Sequence, residues 1–157
     1  MRPDLEPGSW PDAQSPSVAL CGEIMRLAVK IRRRAETILA RHHLTLSEFE
    51  CLVALRLSPD GAAITPTELY ERILISSGGL TKVMSHLQDR GLILRVPSPT
   101  DRRSRMLELT EEGAALVLRA MRAIREDHDS LMEQADLTEE EIAGFFRFRD
   151  KLMNVAG

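Results

Sequence analysis

The chain has 157 residues, 43% hydrophobic and 29% charged, which suits one domain with its own core and is too apolar for a disordered chain. No apolar run approaches the roughly 20 residues that span a bilayer, no signal-peptide h-region is visible, and Cys21 and Cys51 are the only cysteines. A membrane protein and a secreted disulfide scaffold are therefore not expected, and a soluble cytoplasmic protein is.

Residues 1–16 carry Pro3, Pro7, Pro11 and Pro16 and the single tryptophan, Trp10. Proline removes helix donors, so residues 1–17 are predicted to form an irregular arm, with Trp10 packed on a helix or a partner. From Val18 to about His42, Leu20, Ile24, Leu27, Ile31, Ala35 and Ile38 recur at helical spacing, with Arg26, Lys30, Arg33, Arg34 and Arg41 on the opposite face. Three later helices open with a capping box, Thr45/Glu48, Thr65/Glu68 and Thr138/Glu141, the second with Pro66 at its first position.

The second helix is predicted over about Leu46–Leu57, ending before the turn Ser58-Pro59-Asp60-Gly61, and the third over about Pro66–Ile73. After a break at Leu74–Ser76, a fourth helix runs from about Ser77 to Arg90 and stops at Gly91, burying Leu80, Val83, Met84 and Leu87. Two alternating runs, Leu92–Val96 and Arg105–Leu109, flank a long tip and read as a hairpin. A long helix over about Glu111–Ala135 follows, with Leu116, Met121, Ile124, Leu131 and Met132 as packing positions. The last helix reaches about Val155 and carries Ile142, Phe145, Phe146, Phe148 and Leu152.

The formal net charge is −3, yet residues 72–107 hold seven Lys/Arg against two Asp/Glu, a net of +5. Such a stretch is either a solvated face or a polyanion site, and the order of elements decides between them. Helix, turn, helix, then a basic-tipped hairpin is the order of a winged helix-turn-helix, whose second helix fits the major groove. The outward residues of the fourth helix, Ser77, Gly78, Thr81, Lys82, Ser85 and His86, are small or polar and suit close approach to base edges and phosphates. Ser76 and its neighbours sit where free backbone donors favour a phosphate, although Ser and Gly can equally cap a helix. At the tip, Asp101 can orient Arg103, and arginine is the residue that enters a narrow minor groove; Arg102 and Arg105 add charge.

The runs Leu44–Leu55, "TPTELYER", "SSGGLTKVMSHLQDRGLILR" and "PSPTDRRSRMLELTEEG", with a helix at either end, resemble the MarR family of bacterial transcriptional regulators. The resemblance covers about residues 18–155. It implies a mainly α fold with a small β-hairpin wing, a winged helix-turn-helix at 44–110, and dimerisation helices at 18–43 and 111–157. It further implies a homodimer on a pseudo-palindromic double-stranded DNA operator, with Arg103 in the minor groove, Asp101 orienting it, and residues Ser77 to His86 reading bases. Three phenylalanines on a short last helix also need somewhere to be buried.

Relatives release DNA on binding small aromatic acids or phenols, so a repressor with such an effector is expected. Trp10, Cys21 and Met25 are the candidate effector residues. Cys21 falls where the peroxide-sensing branch keeps a reactive cysteine, but the two tyrosines that hold that thiolate are here Met25 and Ala35, so a small half-buried cysteine is the competing reading. Cys51 reads as core. The arm resembles that of a urate-responsive branch, but Val83 stands where that branch has an arginine, so urate is not supported. His42 and His43 point to different helix faces without a Cys/His cluster, so no metal is expected; no cofactor and no enzymatic motif is visible. A winged-helix protein-interaction module without DNA binding is the alternative from another class.

Overall fold

In the computed structural model the described residues are 15–73, 77–98 and 105–155. The elements run α1 (Pro16–Ala40), α2 (Leu46–Arg56), a 3-10 turn (Pro59–Gly61), α3 (Pro66–Arg72), α4 (Ser77–Asp89), β1 (Ile93–Pro97), β2 (Arg105–Leu109), α5 (Glu111–Gln134) and α6 (Glu139–Met153). This is the mainly α architecture with a small hairpin that the sequence predicts.

All three capping boxes form, each with the Thr hydroxyl accepting from the Glu amide and the Glu side chain accepting from the Thr amide. Helix α1 starts two residues earlier than expected, because Pro16 is tolerated in a first turn that needs no donor. Helix α4 ends in a Schellman turn. Gly91, at φ +68°, donates to Gln88 at 2.8 Å and Leu92 donates to Leu87 at 2.9 Å. That turn takes Leu92 out of the strand, so β1 begins at Ile93 rather than Leu92.

β1 and β2 pair antiparallel, with Ile93 opposite Leu109 and Pro97 opposite Arg105. One element went unread in the sequence. Ile64 bridges Leu107 through two backbone hydrogen bonds of 3.0 and 2.7 Å. Antiparallel ladders alternate bonded and non-bonded pairs, so Leu107, opposite Arg95, turns its amide and carbonyl away from β1 and satisfies them on Ile64.

The core gathers α2, α4, the hairpin and parts of α1 and α5, with Leu39, Leu52, Leu55, Leu69, Leu87, Ile93, Leu107 and Val117 almost fully buried. Two helical stripes differ from expectation. On α5 the buried residues are Gly113, Val117, Ala120 and Ile124, while Met121 is exposed, one step around the helix from the true contact line. On α1 only Ala35 and Leu39 are buried; Leu20 and Leu27 of the predicted stripe face outward, since α2 and α5 cover only the C-terminal part of the helix. No described helix is long and apolar enough to cross a membrane.

The hairpin is locked to α5 by Thr110 and Gly113. The Thr110 amide donates to the Leu92 carbonyl at 3.1 Å, its hydroxyl donates to the Gly91 carbonyl at 2.9 Å and the Leu92 carbonyl at 3.1 Å, and that hydroxyl accepts from the Gly113 amide at 3.0 Å. A Cβ on Gly113 would lie 2.1 Å from the Leu92 carbonyl oxygen, a backbone atom that cannot swing aside. Gly113→Ala is therefore expected to destabilise the fold by about 2–3 kcal/mol, the upper part of the overpacking range, through displacement of the hairpin from α5. Urea unfolding midpoints measure this, and an unchanged midpoint would show that the approach is not tight.

Candidate nucleic-acid interface

Leu69 of α3 and Leu80, Met84 and Leu87 of α4 are buried, which seats the two short helices against the core and leaves the other face of α4 to solvent. On that face Thr81, Lys82, Ser85 and His86 are all exposed and stand at helical spacing. A cleft of about 550 Å³ separates them from the start of α2, with Thr45, Ser47 and Glu48 on its far wall.

Glu48 joins the two walls. Its Oε2 accepts from the Thr45 amide at 2.7 Å and the Thr45 hydroxyl at 2.9 Å, closing the cap of α2. Its Oε1 crosses to α4, 2.5 Å from His86 Nδ1 and 3.4 Å from Arg90 Nη1, and Arg90 also donates to the His43 carbonyl at 2.8 Å. Burial works against a charge on Glu48. The hydrogen bonds from the Thr45 amide, the Thr45 hydroxyl and His86 outweigh it and hold the carboxyl below its ordinary value. The sequence showed Glu48 as a cap alone; its second oxygen answers to residues 38 and 42 positions away, which no local pattern reveals.

The predicted site residues divide as follows. Ser77 and Gly78 open α4. Arg105 is exposed at the start of β2, opposite Pro97. Ser76, Asp101, Arg102, Arg103 and Trp10 lie outside the described residues. On the hairpin Arg95 donates to Gln88 of α4 at 3.0 Å, a tie between wing and helix that the sequence did not suggest. Cys21 is exposed on α1 rather than half-buried, because among the described residues α2 and α5 cover only the C-terminal part of the helix, and Met25 beside it is 70% exposed. Cys51 is core as expected, and burial first, then the nearby Glu48 charge, push its thiol up to about 12. Among the described residues no group of three His, Cys, Asp or Glu is placed to hold a metal.

This arrangement has known counterparts. The family model described as "MarR family" matches residues 42–104, from just after α1 to just before β2. The transcriptional regulator PecS of Dickeya dadantii is 30% identical over 111 residues, covering 71% of this chain and 67% of that protein. The chain belongs to the MarR family. The multiple antibiotic resistance protein MarR of Escherichia coli is 32% identical over 101 residues, 64% of this chain and 67% of that one. Among MarR-family structures, a cysteine-to-serine mutant of E. coli MarR complexed with operator DNA superposes with a TM-score of 0.76 at 27% identity. It covers 92% of this chain and 99% of that one. The organohalide-sensing regulator RdhR-CbdbA1625 bound to 2,4-dichlorophenol reaches 0.78 over 96% of this chain and 87% of its own, and at 21% identity it shares the fold. The MarR-family match makes this a transcriptional regulator rather than an enzyme.

The charge on Glu48 carries a pH signature. Its pKa in the folded chain lies below the ordinary value, so its stabilisation is complete above the ordinary carboxylate range near 4.3 and is lost as pH falls through the folded value. The stability difference between wild type and Glu48→Gln should therefore be largest near neutrality and narrow below about pH 4. Urea titrations of both proteins from neutral to acid pH read this directly; a constant difference would mean that the carboxylate's charge is not what joins α2 to α4.

Proposed function

We propose that the protein is a homodimeric, sequence-specific DNA-binding repressor that leaves a pseudo-palindromic operator when a small aromatic or phenolic effector binds. The observation that carries the reading is the exposed face of α4. Thr81, Lys82, Ser85 and His86 offer hydroxyl, ammonium and imidazole groups from a helix seated by α3, with Ser77 and Gly78 at its start. A relative of similar sequence and fold is described with operator DNA bound. By the sequence resemblance, Arg103 enters the minor groove with Asp101 orienting it, and Arg102 and Arg105 add to the DNA contact.

Dimerisation is supported by apolar surface that one chain leaves uncovered. No residue of α6 is buried, Phe145 and Phe146 are 54% and 48% exposed, and a cleft of about 550 Å³ between α1 and α6 is lined by Leu20, Ile24, Leu27, Phe145 and Phe148. A single chain rarely leaves so much contiguous apolar surface in water. In this reading residues 18–43 and 111–157 form the dimer body and 44–110 the DNA-binding lobe. An apolar cleft of about 390 Å³ between α2 and α5, lined by Val53, Leu57, Val117, Leu118 and Met121 with the Arg56 guanidinium, suits an aromatic ring bearing an acidic oxygen. Cys21 and Met25 do not line it.

Three measurements test this. Wild type should elute and scatter as twice 17.6 kDa, and the double variant Phe145→Asp, Phe146→Asp as a monomer; an unshifted mass would place the interface elsewhere. Against duplex DNA from upstream of its own coding sequence, Lys82→Ala should weaken binding about equally on all sequences and lower the salt slope by about one, while Arg103→Ala should cost about 1–3 kcal/mol. Equal affinity of wild type and both variants would remove α4 and the wing from the contact. Release of that duplex by 2,4-dichlorophenol, lost in Arg56→Ala, would support the cleft, and retained release in the variant would count against it.

A further inference from the structure

We propose that His86 is a base-selecting residue whose hydrogen-bonding sense is fixed by Glu48 and inverted by protonation of the ring. This rests on the DNA-binding reading and goes beyond it by naming what one side chain recognises. The Glu48 side chain is 4% exposed and that of His86 is 60% exposed, so one end of this pair is anchored in the protein and the other faces outward.

The chemistry follows from the anchor. Oε2 of Glu48 already takes two donors from Thr45, and Oε1 lies 2.5 Å from His86 Nδ1. An ionised carboxylate only accepts, so Nδ1 must carry the proton. In the neutral ring the proton-free Nε2 is then an acceptor at the outer edge of the imidazole. Facing a major groove, an acceptor pairs with the exocyclic amines of adenine N6 or cytosine N4, and it is repelled by guanine O6 and N7, thymine O4 and phosphate. Protonation places a hydrogen on Nε2 while the bond to Glu48 remains. The same atom then donates, to guanine O6 or N7 or to a phosphate, and no longer suits an amine.

The charged groups around the ring keep this chemistry on Nε2. Among the described residues these are Glu48 from α2, Lys82 one turn before and Asp89 one turn after on α4, and Arg90 just beyond the helix. Arg90 stays on Glu48 Oε1 and the His43 carbonyl in either state, so the carboxylate retains a cation when the ring is neutral. An unanchored histidine would present either nitrogen in either tautomer and could select no base in this way.

The experiment has two arms on the full-length protein. In the first, the ¹⁵N shifts of the His86 ring are recorded without DNA above the titration range of histidine. The protonated-Nδ1 tautomer is expected in wild type and a mixture in Glu48→Gln, whose amide can accept or donate while still completing the cap of α2. The protonated-Nε2 tautomer in wild type would overturn the proposal. In the second, a randomised duplex library is selected at about pH 6 and about pH 8.5, on either side of ordinary histidine titration. The two selected motifs should differ at one symmetric pair of positions, with adenine or cytosine preferred about tenfold at high pH and guanine gaining at low pH. His86→Ala should give one motif at both. Motifs that are the same at both pH values in wild type would overturn the base selector and leave the DNA-binding reading standing. No enrichment at either pH would overturn both.

Discussion

The pose of α4 depends on a carboxylate that is not on α4. Glu48 receives four donors, two from its own cap at Thr45 and one each from His86 and Arg90. Burying a charge is a poor way to gain stability, since desolvation takes back much of what the hydrogen bonds supply. What the arrangement supplies is orientation. Apolar packing by Leu80, Met84 and Leu87 holds α4 against the core, but apolar contacts are non-directional and would tolerate a small rotation of the helix about its axis. A directional hydrogen bond to His86 resists that rotation, and the exposed face of α4 therefore keeps one setting relative to α2.

The same division of labour explains what could be read from the chain. Helix starts were legible because a capping box is local: Thr45, Thr65 and Thr138 each find their glutamate three residues on. The end of α4 was legible because Gly91 takes a positive φ that other residues resist. Contacts between distant segments were not. Nothing near Ile64 marks it as a partner for Leu107, and periodicity on α5 could not separate Met121 from the adjacent line of Val117, Ala120 and Ile124, because small residues such as Ala120 carry the closest approach. Of the interface, residue types on α4 were legible from the outward face, while the grip of Glu48 and the tie from Arg95 to Gln88 belong to tertiary packing.

The chain also divides between finished and unfinished surface. The described residues of 44–110 bury most of their large apolar side chains, whereas α6 buries none and the N-terminal half of α1 leaves Val18, Leu20, Met25 and Leu27 exposed. The bidentate ion pair of Arg34 with Asp127, at 3.0 and 2.7 Å, ties α1 to α5 where the two helices leave the lobe. Its Asp127 carboxyl is held below the ordinary range first by the Arg34 hydrogen bond, so the pair stays charged at neutral pH. The apolar side chains of the lobe are thus covered within one chain, while those of the helices that extend from it stay exposed.

The bridge between Ile64 and Leu107 limits how the hairpin can move. A two-stranded ribbon attached only by its ends is free to flap, since bending it breaks no backbone bond to the rest of the protein. Here two such bonds stitch β2 to the segment just before α3, and Thr110 stitches its far end to the turn after α4. The base of the wing, α3 and α4 therefore travel as one plate. A displacement of the wing base has to carry α3 and α4 with it, so the lobe can tilt as a whole but its parts cannot shift separately without breaking these backbone bonds.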